Sequence, residues 1–255
     1  MFLKNQSRWK AVVLDLDGTL LHSDGSISDY TLEVLQECKR RGILVVVATA
    51  RFWFKAEKYL DIILPDYAIL ADGTQIYQNG ELIHGYAMDE LQSEGIIKEL
   101  KNAGSEFVVS TGKKLFCSAS GIDEKWRTSK EFTEPVRASV YKIAAIINSY
   151  EEAGALAEKY GCRIYSYRDE NLYGFTSGTS GKYQAVLKLG EMLQMDMEEI
   201  LAFGDDENDY DILKNVGKGV AVANAIPMIH NIADDITLSN DADGVAKYIE
   251  KYIEK

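Results

Sequence analysis

The stretch VVLDLDGTLL, residues 12–21, decides the fold of this chain because an apolar segment runs directly into a pair of acids. Its first three residues have the character of a strand that is buried on both faces. Asp15 and Asp17 follow at the end of that strand, and a Gly-Thr pair comes next. A buried charge costs stability unless it is paired. The two acids therefore indicate a functional site rather than a packing position.

The composition is that of a globular protein with a sizeable core. The chain has 255 residues, of which 46% are hydrophobic, so one large domain or two modest ones are expected. No apolar run approaches the roughly 18 residues that a transmembrane helix needs. The N-terminal residues lack the apolar centre of a secretory signal. We therefore predict no membrane partner.

Net charge and cysteine usage narrow the partners and the compartment. The formal charge is −12, which disfavours nucleic acid because phosphate backbones bind clustered Lys and Arg. A small anionic ligand stays compatible, since a local pocket can be basic or hold a metal. The widely spaced Cys38, Cys117 and Cys162 predict neither disulfides nor a zinc site. We expect a cytoplasmic protein, and a monomer because no heptad repeat is sustained.

Strand and helix patterns alternate along the first third of the chain. Continuous apolar strands are predicted at 11–16, 43–50 and 67–71, and helices at 28–41, with Ser28 as N-cap, and at 52–63. Strands of this kind, separated by helices, predict a parallel sheet that is covered on both faces.

The pattern changes in the middle of the chain. A hairpin is predicted at 76–83, because Asn79-Gly80 separates two short strands. Further helices and antiparallel-looking strands follow, the strands at 107–111, 114–119, 140–148 and 162–168. We therefore predict an α/β fold, with a Rossmann-like parallel-sheet core of residues 1–83 plus 179–255 and an inserted α+β domain at 84–178.

Polar residues stand at four element ends of the predicted core, and such ends converge where ligands bind in an open parallel sheet. The candidates are Asp15, Asp17, Thr49, Lys182, Asp205, Asp206, Asn208 and Asp209. Carboxylate oxygens suit a hard cation such as Mg²⁺, which adds a phosphate oxygen. The lysine would offset the negative charge of a phosphoryl group, and the threonine would donate a hydrogen bond to it. The set favours phosphoryl transfer, with one Asp as nucleophile and another as acid and base.

Each motif also has a structural interpretation. DLDG at 15–18 could begin an EF-hand loop, but Leu20 and Ser26 stand where that loop needs Gly and Glu. The acids of 205–211 could be a solvated helix start, since acids favour a helix N-terminus. Lys182 taken alone is more often a surface residue, and Thr49 a strand-end hydroxyl. The order of all four motifs favours the functional interpretation.

At these residues the chain resembles the haloacid dehalogenase superfamily. DLDGTL at 15–20 is similar to its DxDGT signature, and Thr49, Lys182 and GDDEND at 204–209 complete the set in the same order. The insert between Thr49 and Lys182 resembles the type II cap of the Cof-like sugar-phosphatase branch. AVANA at 221–225 and TLSNDADGVA at 237–246 also resemble that branch.

The resemblance implies a Mg²⁺-dependent phosphatase of small phosphorylated metabolites, above all sugar phosphates. Asp15 would attack phosphorus and form an aspartyl-phosphate. Asp17 would protonate the leaving alkoxide and then deprotonate the attacking water. The cap would close to exclude water.

The same resemblance implies the ligands of the metal and of the phosphoryl group. Mg²⁺ would be held by Asp15, the backbone carbonyl of Asp17 and Asp205. Asn208 and Asp209 would hold the waters of the metal or support Lys182. The phosphoryl oxygens would bind Thr49, Lys182 and the backbone amides near Asp17 and Ala50.

Two positions depart from the pattern of the branch. Ala50 stands where the branch usually has Gly, and Asp72 where it usually has Asn. A methyl group beside the phosphate site would narrow the approach. An ionised Asp72 cannot donate a hydrogen bond, so it would repel an anionic substrate or prefer one with hydroxyl donors.

Alternatives stay open at this point. A phosphomutase shares this fold and cap type. A receiver domain groups similar residues but is about half as long, and a silent binding protein would keep the scaffold without the chemistry. The substrate is not predicted, and the candidate specificity residues of the insert are Arg127, Tyr141, Lys142, Arg168, Tyr173 and Phe175.

Overall fold

Two β-sheets organise the part of the chain that the computed structural model describes, namely residues 8–118, 130–131, 138–167 and 171–253. One sheet is formed by strands from both ends of the described chain, and the other by strands from its middle. No helix among the described residues has both the length and the apolar character required to cross a bilayer.

The core sheet has eight strands, parallel to one another except where β4 joins β3 and β5 joins β4. In spatial order they are β14 (Asp235–Ile236), β13 (Lys218–Ala221), β12 (Ile200–Gly204), β1 (Ala11–Leu14), β2 (Leu44–Ala48), β3 (Tyr67–Leu70), β4 (Gln75–Gln78) and β5 (Glu81–Gly85). All four residues of β1 are buried. Because successive side chains point to opposite faces of a sheet, both faces of β1 are covered.

Helices of the core pack on this sheet and complete a single large cluster of buried apolar side chains. They are α1 (Asp29–Arg40), α2 (Trp53–Ile63), α5 (Lys182–Leu193), α6 (Tyr210–Asn215), α7 (Pro227–His230) and α8 (Gly244–Ile253). The N-cap predicted for α1 is confirmed, because the Ser28 hydroxyl accepts a hydrogen bond from the backbone N–H of Thr31 at 3.0 Å. The hairpin turn between β4 and β5 is also confirmed, with Asn79 and Gly80 at φ +49° and +76°.

The insert, defined here as the second sheet with its two helices, has a hydrophobic core of its own. In spatial order its strands are β10 (Cys162–Ser166), β11 (Leu172–Ser177), β9 (Lys142–Ile146), β6 (Phe107–Ser110), β7 (Leu115–Cys117) and β8 (Lys130–Glu131), and its helices are α3 (Glu90–Asn102) and α4 (Tyr150–Tyr160). The pairing is antiparallel except between β7 and β8. The sequence patterns missed β11, although it lies between β10 and β9.

The predicted fold class is confirmed, with a mainly parallel α/β core and an inserted α+β unit. The division of the chain at residues 84 and 178 stays a prediction.

Candidate active site

Three buried carboxylates meet at the carboxyl end of the core sheet. Asp15 directly follows β1 and Asp205 directly follows β12, and these strands are parallel neighbours. The Asp209 carboxylate accepts hydrogen bonds from the backbone N–H groups of Asp205 and Asp206, at 3.1 and 3.3 Å. One oxygen atom from each of Asp15, Asp205 and Asp209 lies within 4.8 Å of the other two. We call these three residues the carboxylate cluster.

Lys182 brings a positive charge to the carboxylate cluster. It is the first residue of α5, and its Nζ atom donates to Asp15 Oδ1 at 2.6 Å, Asp209 Oδ1 at 2.7 Å and Asn208 Oδ1 at 3.2 Å. Burial lowers the pKa of Lys182, but the ion pairs with Asp15 and Asp209 outweigh burial and raise this pKa overall. The amine therefore stays charged at neutral pH.

The carboxylate cluster holds more negative charge than one lysine balances. Burial raises the pKa of Asp15 well above its ordinary value; Lys182 opposes this rise, and repulsion from Asp209 and Asp205 adds to it. Burial and Asp209 likewise raise the pKa of Asp205 to about 7. A divalent cation would remove this excess charge, and oxygen atoms are the ligands that Mg²⁺ prefers. The donor set therefore fits a hard divalent cation.

Thr19 orients one member of the cluster, a role that the sequence analysis missed. Its hydroxyl donates to Asp205 Oδ1 at 2.9 Å, and the side chain is buried. The chain reaches this position through a tight turn after β1, in which the N–H of Leu20 bonds to the carbonyl of Asp15. Gly18, at φ +75°, passes so close to Asp205 that a Cβ atom there would lie 2.5 Å from its carboxylate. The Gly-Thr pair thus packs directly against Asp205.

Asp17 lies apart from the carboxylate cluster, at the rim of the site. Its side chain is 57% exposed, and both of its oxygen atoms accept hydrogen bonds from Arg51. The Arg51 Nε and Nη2 atoms lie 2.6 and 2.5 Å from those oxygens. The guanidinium also lies over the ring of Tyr59 and donates to the carbonyl of Lys55. Sequence reasoning gave Arg51 no role, although it follows Ala50 directly.

Thr49 and Ala50 lie at the end of β2, next to β1 in the sheet. Thr49 is buried, and its hydroxyl oxygen accepts a hydrogen bond from the N–H of Arg51 at 3.2 Å. The carbonyl of Ala50 accepts a hydrogen bond from Lys142 of the insert at 3.0 Å. Two of the predicted phosphate-binding residues, Thr49 and Ala50, therefore lie in a turn, residues 49–51, that contacts the insert through Lys142.

The charge of Asp72 is balanced by the insert. Its Oδ2 atom lies 2.5 Å from Lys142 Nζ, and both side chains are almost wholly buried. The Tyr167 hydroxyl donates to the same oxygen at 2.8 Å. The repulsion that the sequence predicted for a bound anion is thereby reduced, because the carboxylate faces an ammonium group.

The other candidate specificity residues of the insert divide into three groups. Tyr173 and Phe175 are buried in the hydrophobic core of the insert and serve packing. Tyr141 packs against Gly85, where a Cβ atom would meet its ring. Arg127 and Arg168 lie outside the described residues.

This fold and this group of side chains define the class of capped α/β hydrolases. Residues 12–249 match the model of a family described as haloacid dehalogenase-like hydrolase, and the chain belongs to that family. The predicted superfamily is therefore confirmed. Hydrolases of this family generally use a divalent metal, which agrees with the donor set of the carboxylate cluster.

Curated relatives and solved structures agree with this assignment. Phosphatase YwpJ of Bacillus subtilis (strain 168) is 29% identical over 93% of this chain and 97% of its own. The 5-amino-6-(5-phospho-D-ribitylamino)uracil phosphatase YcsE of the same organism is 28% identical over 96% of each chain. These relatives confirm the predicted enzyme class, a phosphatase. A phosphatase of this family implies a small phosphorylated substrate.

Two solved structures share the whole architecture. A haloacid dehalogenase-like hydrolase from B. subtilis is 26% identical, with a TM-score of 0.82 over 94% of this chain and 99% of its own. The HAD subclass IIB sugar phosphatase BT4131 also has a TM-score of 0.82, at 21% identity over 95% of this chain and 98% of its own. The similarity to BT4131 is a similarity of fold, and it includes the inserted unit.

Proposed function

We propose that this protein is a Mg²⁺-dependent phosphatase that hydrolyses small phosphorylated metabolites, most of all sugar phosphates, through an aspartyl-phosphate intermediate. The observation that carries the proposal is the position of Asp15. Its carboxylate stands at the end of β1, 2.6 Å from the ammonium of Lys182 and inside the carboxylate cluster. Such a group is a fixed nucleophile whose charge is compensated on one side and open to a cation on the other.

The metal would be held by Asp15, the backbone carbonyl of Asp17 and Asp205, with Asn208 and Asp209 in support. When bound, Mg²⁺ would neutralise charge on the carboxylates and polarise the phosphoryl oxygens. Lys182 donates all three of its N–H groups to Asp15, Asn208 and Asp209, so it would exchange one of these contacts for a phosphoryl oxygen. Thr49 and the N–H of Ala50 would donate to the other phosphoryl oxygens.

The reaction would have two steps at the same phosphorus atom. In the first, an Asp15 oxygen bonds to phosphorus while the bond to the ester oxygen breaks, and Asp17 gives that oxygen its proton. In the second, Asp17 takes a proton from water, the water oxygen bonds to phosphorus, and the Asp15–phosphorus bond breaks. Inorganic phosphate and free Asp15 result. Arg51 donates to both oxygens of the ionised Asp17 carboxylate at the rim. One of these two hydrogen bonds would open while Asp17 carries the proton for the ester oxygen, and it would form again once the proton has been given.

The cavity next to Lys182 supports a small organic substrate. Its volume is about 590 Å³, and it is lined by Tyr165 and Tyr167 of the insert and by Tyr183 and Tyr210 of the core. Pockets of about 300–1,000 Å³ suit metabolite-sized ligands. Tyrosine offers both a ring face and a hydroxyl group, which suits a sugar or a heterocycle joined to one. The named substrate of the relative YcsE contains a ribityl chain and a uracil ring.

We further propose that the protein acts as a cytoplasmic monomer on a free metabolite and has neither nucleic-acid nor membrane partners. The net charge of −12 supports this proposal, because it disfavours anionic polymers. Size-exclusion chromatography with light scattering tests the monomer.

Phosphate release from a panel of phosphorylated compounds tests the proposed function. The panel should contain hexose and pentose phosphates, nucleotides, 5-amino-6-(5-phospho-D-ribitylamino)uracil and an aryl phosphate, each with Mg²⁺ and with EDTA. We expect release that requires the metal and is lost in Asp15→Asn, which removes the nucleophile but keeps the size of the side chain. Asp61→Asn is the matched control, since Asp61 is exposed on α2.

Several outcomes would contradict the proposal. Release that survives in Asp15→Asn would indicate another nucleophile or a contaminant. Isomerisation of hexose phosphates in place of release would indicate a phosphomutase. Sugar-phosphate binding without any turnover would indicate a silent binding protein.

A further inference from the structure

The buried ion pair between Lys142 and Asp72 joins the two sheets of the molecule. Lys142 is the first residue of β9 in the insert, and Asp72 lies in the turn after β3 in the core sheet. The exposed fractions of these side chains are 2% and 0%, and their charged atoms are 2.5 Å apart. The Lys142 ammonium also lies over the rings of Phe52 and Tyr167, 4.6 and 4.9 Å from their centres. The lysine is thus enclosed by groups from both sheets.

Two turns of the core sheet meet at this ammonium. One is the 49–51 turn after β2, and the other is the turn of residues 71–73 after β3. Backbone hydrogen bonds link them, since Thr49 O accepts from Asp72 N at 3.3 Å and Arg51 O accepts from Ala71 N at 2.9 Å. Lys142 Nζ adds a third link, because it donates at once to Ala50 O and to Asp72 Oδ2.

The backbone conformation of the 71–73 turn needs stabilising contacts of this kind. Ala71, Asp72 and Gly73 are consecutive residues with φ values of +52°, +58° and +84°. Residues other than glycine adopt this left-handed backbone conformation at a cost in free energy, and they keep it only where surrounding contacts stabilise it. The same turn carries the carboxylate that receives Lys142. An outward movement of the insert would therefore remove one of the contacts that fix both turns.

From these contacts we propose that Lys142 is a positioning residue, which shapes the 49–51 turn for the phosphoryl group when the insert packs on the core, with Asp72 as its counter-charge. The inference rests on the proposed function, because the 49–51 turn is assigned there to phosphate binding. Neither charge can be buried alone without a large penalty. The Lys142–Asp72 ion pair therefore forms only when the insert packs on the core. Because Lys142 also donates to the Ala50 carbonyl, the position of the insert affects the shape of the 49–51 turn.

Three variants separate this role from a merely structural one. Lys142→Met leaves the Asp72 carboxylate buried without its ammonium partner, so stability and phosphate binding should both fall. Asp72→Asn removes the counter-charge of the buried Lys142, so stability should fall. It keeps an oxygen acceptor beside the amine and leaves the donor to the Ala50 carbonyl in place, so phosphate binding should change much less than in Lys142→Met. The double variant leaves no unpaired charge, so its melting temperature should recover, but the Ala50 carbonyl still lacks its donor. The double variant should therefore bind phosphate weakly despite a recovered fold.

The probe is inorganic phosphate in the presence of Mg²⁺, titrated by calorimetry into each variant. We expect the Kd to rise about 10-fold or more in Lys142→Met and in the double variant, the effect of losing a charged hydrogen bond, and to change less than threefold in Asp72→Asn. Lys113→Met is the matched control, since Lys113 is an exposed lysine of the insert that lies over the ring of Trp53. It should bind phosphate like the wild type.

Hydrogen exchange provides a readout that needs neither metal nor turnover. Peptides that contain residues 49–51 should exchange faster in Lys142→Met and in the double variant than in Asp72→Asn. Wild-type phosphate affinity in the double variant, or unchanged exchange in both variants that lack Lys142, would overturn the positioning role. Absence of phosphate release from every compound of the panel would instead refute the proposed function, and the exchange result would be unaffected by it.

Discussion

Replacing Thr19 with valine isolates the contribution of one hydrogen bond to metal binding. The Thr19 hydroxyl donates to Asp205 Oδ1 at 2.9 Å inside the carboxylate cluster. Valine keeps the size of the side chain and removes the donor. Burial and repulsion from Asp209 raise the pKa of Asp205 to about 7, and the Thr19 hydrogen bond opposes that rise. Loss of the bond therefore favours the protonated form of Asp205, which cannot ligate a cation.

The size of the effect follows from the charge of the acceptor. A hydrogen bond to a charged group contributes about 1.5–3 kcal/mol, and loss of a partner behind a metal ligand typically lowers metal affinity about 10- to 100-fold. We expect Thr19→Val to raise the Kd for Mg²⁺ by that factor at pH 7, measured by calorimetry. The difference from the wild type should narrow at higher pH, because Asp205 then loses its proton in both proteins.

A second buried threonine provides the matched control. Thr31 donates to Asp243 Oδ1 at 3.1 Å, outside the carboxylate cluster. Thr31→Val should lower the free energy of unfolding by about 1.5–3 kcal/mol, because its acceptor is also a carboxylate. This loss is measured by urea denaturation, and the variant should bind Mg²⁺ like the wild type. Wild-type Mg²⁺ affinity in Thr19→Val would refute the reasoning. Equal loss of Mg²⁺ affinity in both variants would also refute it, because the effect would then be global.

Three further perturbations probe other parts of the site. Arg51→Met should lower kcat about 10-fold or more with little change in KM, because Asp17 loses both hydrogen bonds that position it. Steady-state assays measure both constants, and an unchanged kcat would exclude Arg51 as a positioning residue for Asp17. Gly73→Ala should lower the free energy of unfolding by more than about 3 kcal/mol, since its Cβ atom would lie 2.2 Å from the backbone of Gly181, directly before α5. Gly42→Ala, with open space around it, should cost about 1 kcal/mol. In EDTA the contribution of Asp205 to stability should fall by about 3 kcal/mol as the pH rises from 5 to 8, because its pKa, raised to about 7, lets the folded state keep a proton that the unfolded state has released. The raised pKa of Asp15 acts in the same direction. Mg²⁺ should abolish this slope, and an equal slope with Mg²⁺ would contradict the assignment.

The central strands of the core sheet, β12, β1, β2 and β3, were predictable because they are almost wholly buried and are therefore continuous apolar runs in the sequence. The two-residue edge strand β14 is exposed and was missed. The Ser28 cap and the Asn79-Gly80 turn were predictable because each depends on residues adjacent in sequence. The strand β11 was missed because Gly174 interrupts its pattern. In the structure Gly174 faces Tyr167 and Lys142, and a Cβ atom there would lie 2.7 Å from the Tyr167 hydroxyl. Gly174 weakens the sequence pattern of β11, but it is required because the Tyr167 hydroxyl leaves no room for a side chain there. That contact forms only in the folded protein.

The carboxylate cluster was predictable from topology alone. Asp15 and Asp205 each follow a parallel strand, and the carboxyl ends of parallel strands share one edge of the sheet, so their convergence was predictable. That β1 and β12 are neighbours is seen only in the structure. The contact between Lys142 and Asp72 was not predictable. It depends on the register of β9 within its own sheet and on how the two sheets face each other, and neither is encoded by local patterns.

The local charges explain how a chain with a net charge of −12 can bind an anion. Asp72 is paired with Lys142, and Asp17 is paired with Arg51, so each of these pairs is formally neutral. The carboxylate cluster with Lys182 retains two negative charges when ionised, which equals in size the charge of one divalent cation. With that cation bound, the charges of the carboxylate cluster and Lys182 are balanced, so these groups would no longer repel a phosphate dianion. The acidity of the remaining surface then slows the arrival of an anion.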